Sequence, residues 1–135
     1  MNILVIDGQG GRMGKLLIEQ LKNRVPKYEV TAVGTNSVAT SAMLKAGADY
    51  GATGENPILY NAKKADVIVG PLGIIIANAL LGEITPAMAQ AISESPAHKI
   101  LIPLNRCHCT IVGVQSLPLA EYIRLAVQEI AELAD

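Results

Sequence analysis

The chain has 135 residues, half of them hydrophobic, with neither Trp nor Phe and a net charge of −1. That length suits a single domain over residues 1–135, and a core without large aromatics must rest on Ile, Leu, Val, Ala and Met, the palette of a parallel sheet packed closely by helices. The low charge and a pI near 6.1 give no basic face for nucleic acid. The longest apolar stretch, Leu72 to Leu81, is too short for a bilayer-spanning helix of about 20 residues. The start, Met1-Asn2-Ile3-Leu4-Val5, lacks the positive region of a signal peptide, so a cytoplasmic protein with no nucleic-acid or membrane partner is expected.

Asn2 to Asp7 reads as a first strand, and Gly8-Gln9-Gly10-Gly11-Arg12-Met13-Gly14 as the turn that delivers the chain into a helix ending near Arg24. A glycine-rich elbow at that point frees backbone N–H groups to face a phosphate, and the helix dipole favours an anion there. The spacing fits G-x-x-G-x-x-G through Gly8, Gly11 and Gly14; a strict G-x-G-x-x-G would need glycine at Met13. A second strand, Glu29 to Val33, follows Pro26. Asn36 or Ser37 caps a helix that turns Ala39, Ala42, Met43 and Ala46 inward and stops at Gly47. Ala48 to Ala52 is a third strand, and Asn56-Pro57 opens a short helix to about Ala65.

Asp66 to Gly70 is almost wholly apolar and reads as a central strand. From Gly73 the pattern is helical and hydrophobic nearly all round, so this helix needs cover on more than one side. That cover is either the helix opened by Thr85-Pro86 and running to about Glu94 or a second copy of the chain, which would make a homodimer. Lys99 to Leu104 is a fifth strand and Thr110 to Val114 a sixth. Pro118 opens the last helix, with Ile123, Val127, Ile130 and Ala134 on one face. The alternation predicts an α/β fold: one doubly wound, mainly parallel, Rossmann-like sheet of five or six strands with helices on both faces.

In such a sheet ligands lie outside the carboxyl ends of the strands. Small and polar residues gather on that rim: Asp7, Gly8 and Gln9; Thr35, Asn36 and Ser37; Glu55; Gly70 and Pro71; Asn105 and Arg106. The glycine loop, Gly8 to Gly14, with Thr35, Asn36, Ser37, Gly70 and Pro71, forms the expected nucleotide-binding set. Asp7, Glu55, Asn105 and Arg106 form the expected substrate set, Arg106 being able to fork to a phosphate or carboxylate. Asp7 stands at the threshold of the loop, where Arg12 or a magnesium ion could offset its charge. No carboxylate ends the second strand to engage a ribose, so NADP is tolerated beside NAD. Cys107-His108-Cys109 is too compact to wrap a tetrahedral metal ion, and no metal site is expected. A Cys107–Cys109 disulfide is not expected either.

The run Gly8-x-x-Gly11-Arg12-Met13-Gly14 followed by an aliphatic helix resembles the cofactor loop of the bacterial dihydrodipicolinate reductases. This likeness, confined to the first twenty-odd residues, implies that Gly8, Gly11, Arg12, Met13 and Gly14 hold the pyrophosphate of NADH or NADPH. The reductases' S-x-x-H-x-x-x-K signature has no counterpart around His98 or His108, so the resemblance implies no reaction. Over its whole length the chain resembles a family of short bacterial proteins of unknown function with a Rossmann-like fold. That likeness is carried by Ile6-Asp7-Gly8-Gln9-Gly10-Gly11, Gly34-Thr35-Asn36, Ala39-Thr40-Ser41-Ala42-Met43, Gly51-Ala52-Thr53-Gly54-Glu55-Asn56 and Ile102-Pro103-Leu104-Asn105-Arg106. The leading expectation is a small nucleotide-binding protein taking an NAD(P)-type dinucleotide. The alternatives are an enzyme acting on a small phosphorylated or carboxylated substrate, and a structural or interaction protein whose scaffold has lost its ligand.

Overall fold

The computed structural model describes residues 1–104 and 108–134. Asn105, Arg106 and Cys107, three of the positions singled out above, lie outside the described residues. Five strands, β1 (Asn2–Asp7), β2 (Glu29–Gly34), β3 (Tyr50–Thr53), β4 (Val67–Pro71) and β5 (His98–Ile102), form one parallel sheet in the order β3-β2-β1-β4-β5. Five α-helices accompany them: α1 (Arg12–Arg24), α2 (Ser37–Lys45), α3 (Glu55–Ala62), α4 (Pro86–Glu94) and α5 (Leu119–Ala134). The strand order reverses between β1 and β4, which opens a crevice above their carboxyl ends.

Alternation along β1 splits the core in two. Ile3 and Val5 join Leu17, Ile18 and Leu21 of α1, Met43 of α2, and Ile123, Val127 and Ile130 of α5 on one face. Leu4 and Ile6 join Ile58 of α3 and Met88 and Ile92 of α4 on the other. Asn36 caps α2 through its Oδ1, which accepts the Ala39 N–H at 2.9 Å, and Thr85 caps α4 by accepting the Met88 N–H at 3.1 Å. Helix α3 begins at Glu55 behind Gly54 at φ 104°, so Pro57 sits third in the helix, where its missing N–H is still no loss.

Two expected elements take another form. Thr110 to Val114 forms no strand; the chain before α5 is instead held by Tyr122, whose hydroxyl donates to the Gln115 carbonyl at 2.6 Å and accepts the Leu117 N–H at 3.1 Å. Tyr122→Phe should therefore lower stability by about 1 kcal/mol, read as a shift of the urea midpoint at constant slope; an unchanged midpoint would show that the tether contributes nothing.

The segment from Gly73 is the second. It makes a short 3-10 turn over Leu72–Ile75 and then a series of turns in which Asn78 (φ 66°), Leu80 (57°), Leu81 (57°) and Gly82 (87°) are left-handed. Left-handed backbone at a leucine costs about 1–2 kcal/mol, and here local bonds and burial offset it. The N–H groups of Asn78 and Ile84 donate to the Ile84 and Ala79 carbonyls at 2.7 and 3.1 Å, and those of Gly82 and Glu83 donate to Asn78 and Leu80, both at 3.1 Å. Ile74, Ala79, Leu80 and Ile84 are buried in the second core. Much of the apolar cover is therefore intramolecular, while Ile75 and Ile76 are half-buried and Leu81 at the tip is 95% exposed.

Candidate functional site

The chain leaving β4 crosses the carboxyl rim, and this crossing loop brings a group with no neighbour in sequence to the glycine elbow. Glu83 Oε1 accepts three hydrogen bonds at once: from the Gln9 N–H at 2.9 Å, from Asn36 Nδ2 at 2.9 Å, and from the Thr35 hydroxyl. Three donors from the ends of β1 and β2 thus converge on one anionic oxygen, a short charge-assisted set. Gln9 reaches this position with a left-handed backbone, φ 51°, and its carbonyl accepts a further bond from Asn36 Nδ2 at 2.9 Å.

Asp7 performs the matching task beneath the loop. Its carboxylate is 5% exposed, and its two oxygens accept the Gly8 and Gly14 N–H groups, each at 2.8 Å. The anion at the start of α1 is therefore a side chain of the protein itself. Backbone donors balance Asp7, whereas Arg12 is exposed and makes no ion pair among the described residues. Burial pushes the Asp7 carboxyl up; the Gly14 and Gly8 bonds oppose this, the charge of Glu83 adds to it, and the net direction is upward. Burial pushes Glu83 upward too, but the donors from Gln9, Thr35 and Asn36 prevail and hold it below its ordinary value.

The other expected site residues divide by what their positions allow. Gly11 is the left-handed residue before α1, and a Cβ there would meet the Ala39 backbone at 2.7 Å. Gly14 leaves room for Met43, Gly70 fits against the Ile6 carbonyl, and Gly10 faces open space. Met13 and Pro71 are buried, while Ser37 is exposed at the first position of α2. Glu55 accepts the Thr85 hydroxyl at 2.5 Å, tying α3 to the base of the crossing loop. Among the described residues no cluster of three His, Cys, Asp or Glu side chains could hold a metal ion, and no helix is long and apolar enough to cross a membrane.

Sequence reasoning missed Glu83, which stands far from Asp7 and Thr35 along the chain. Its only advance signal was Asn78 and Gly82, residues that tolerate left-handed backbone and so favour turns over a continuous helix.

No curated protein is similar enough to this sequence to count as a match. Among solved structures, a dodecameric FMN-dependent UbiX-like decarboxylase from Escherichia coli is similar in fold, with a TM-score of 0.51 at 16% identity, over 97% of this chain and 76% of that one. Nothing in these comparisons carries the reductase likeness of the glycine loop. The expectation of NAD or NADP is corrected: the similar structure is of an FMN-dependent protein, and the Gly8, Gln9 and Gly14 N–H groups that a pyrophosphate would need are engaged by Asp7 and Glu83. The Rossmann-like fold and the kinship with an uncharacterised family both stand. From residue 2 to residue 135 the chain matches one family model and belongs to that family, the domain of unknown function DUF3842.

Proposed function

We propose that this protein is an enzyme that takes a small anionic substrate, phosphorylated or carboxylated, at the carboxyl rim beside the β1–β4 crevice. The observation that supports this most directly is the convergence of the Gln9 N–H, Thr35 and Asn36 on a single carboxylate oxygen. Donors already aimed at one point are preorganised for an anion that takes the place of Glu83 there. In this reading the loop Gly8 to Gly14, Ser37, Gly70 and Pro71 belong to the binding site, and Asn105 and Arg106, which follow β5 in sequence, are assigned to bind the anion. FMN enters as a candidate phosphate-bearing ligand because the protein of similar fold depends on it.

Calorimetric titration of wild-type protein with FMN, inorganic phosphate and short mono- and dicarboxylates tests the reading. At least one should bind at submillimolar concentration, and Thr35→Val, which keeps the shape and loses the hydroxyl, should weaken it by about tenfold. Silence from every anion at about 10 mM, at least tenfold weaker than that expectation, would sink the proposal.

A further inference from the structure

On the face of the sheet that carries the second core, α3 and α4 lie side by side, with Ile58 and Ala62 of one and Met88, Ala89 and Ile92 of the other buried on their inner side. On their outer side is a groove of about 400 Å³, lined by Leu59 and Lys63 on one wall and by Ala87, Gln90, Ala91 and Glu94 on the other. We propose that a second copy of the chain packs into this groove, α3 of one protomer against α4 of its partner, about a two-fold axis running along the groove floor.

The two helices are parallel and level. Each follows a strand from the carboxyl rim, and two hydrogen bonds tie them together: the Thr85 hydroxyl donates to Glu55 at the rim, and the Ser95 hydroxyl donates to the Ala62 carbonyl at the far end. Lys63, next after the last residue of α3, and Glu94, the last of α4, therefore stand at the same end of the groove on opposite walls. Neither enters an ion pair among the described residues. Opposite charges that line one groove and stay unpaired within the chain are what a self-complementary interface uses.

That placement selects the axis. A two-fold rotation about the groove direction sets α3 over the partner's α4 at equal height, so Lys63 meets the partner's Glu94 and Glu94 meets the partner's Lys63. Rotation about an axis across the groove would instead set Glu94 over the uncharged start of α4, Thr85 and Pro86. The apolar floor matches the first axis too. Leu59 lies four residues beyond Glu55, while Ala87 and Ala91 lie two and six beyond Thr85; at about 1.5 Å per residue, Leu59 comes level with the gap between the two alanines. Small side chains one turn apart leave a hole that a leucine of the partner fills. The half-buried Leu59 and Ala91 then lose their remaining contact with water, which favours association.

Lys63 and Glu94 lie at the helix ends remote from the rim, so changing them leaves the proposed anion site in place, and the two readings stand or fall separately. At about 100 µM, well above a micromolar Kd, sedimentation velocity of the full chain should show a dimer. Lys63→Glu and Glu94→Lys each replace two attractions with two repulsions and should raise the dimer Kd at least about tenfold. Combining them restores the pairs and should return Kd to within about threefold of wild type. A monomer at that concentration, a dimer indifferent to the single reversals, or a double variant as weak as the singles overturns the inference.

Should a variant fail to fold, zero-length carbodiimide coupling of the wild type decides, using an equal mixture of normal and heavy-nitrogen protein. The expected product is an amide between Lys63 of one copy and Glu94 of the other, seen by mass spectrometry as a mixed-isotope peptide pair. A link from Lys63 to Glu55, a Lys63–Glu94 link confined to one copy, or no link overturns the arrangement.

Discussion

Gly11→Ala should cost about 2–5 kcal/mol, whereas Gly10→Ala, one residue away, should stay within about 0.5 kcal/mol of wild type. Gly11 has φ 73° and its missing Cβ would fall 2.7 Å from Ala39 Cα and 3.0 Å from the Ala39 carbonyl oxygen. The left-handed backbone contributes about 1–2 kcal/mol of that cost. The remainder, about 1–3 kcal/mol, comes from forcing the start of α2 away from α1, and backbone atoms cannot swing aside as a side chain can. Gly10 meets nothing within 4 Å, and exposed substitutions of that kind are nearly neutral. Urea denaturation of the two variants, read at constant slope, checks the contrast; similar midpoints would mean that α1 and α2 are not in register at Ala39. Because Ala39 is capped by Asn36, the same displacement should also disturb the donors around Glu83.

Asp7→Asn should destabilise the fold by about 1–3 kcal/mol at pH 7, because the amide can accept one of the Gly8 and Gly14 N–H bonds and leaves the other donor buried without a partner. It should also change the pH dependence. The folded carboxyl is raised above its ordinary value of 3.8, so the folded state holds this proton more readily than the unfolded chain does. The stability linked to protonation is complete below 3.8 and is lost as pH rises through the raised value. Glu83, held below its ordinary 4.5, slopes the other way: its contribution is present above 4.5 and lost as pH falls through the folded value. Comparing Glu83→Gln alone with the double variant Asp7→Asn, Glu83→Gln from about pH 3 to 7, the span in which carboxyl groups titrate, isolates the first effect. Parallel curves would show that burial does not govern Asp7.

The strand–loop–helix entry was legible because three independent signals coincide at residues 2–24: an apolar run, a glycine cluster, and helical spacing of Leu17, Ile18 and Leu21. The parallel sheet followed from the same alternation repeated, and its five described strands lie where apolar runs suggested. Thr110 to Val114 misled because β-branched composition records how well a residue suits a pleated surface and says nothing about whether a sheet edge is available to pair with it. Leu72 to Leu81 misled for the opposite reason. Its apolar side chains are indeed largely buried, but through a turning backbone, a route that periodicity cannot distinguish from a buried helix. At the rim, the sequence indicated where polar groups collect. It could not show that two of the protein's own carboxylates would take up the loop's donors, since that depends on a contact between Gln9 and Glu83 made only after the sheet has assembled.

The position of β1 has a consequence for synthesis. It is the central strand, pairing with β2 and β4, yet about 60 residues separate its end at Asp7 from the start of β4 at Val67. At roughly 5–20 residues per second a ribosome needs about 3–12 s to make that interval. Until then Ile3 to Ile6 have no partner on one side, so the apolar run that later anchors both halves of the core stays half-covered while β2 and β3 are made.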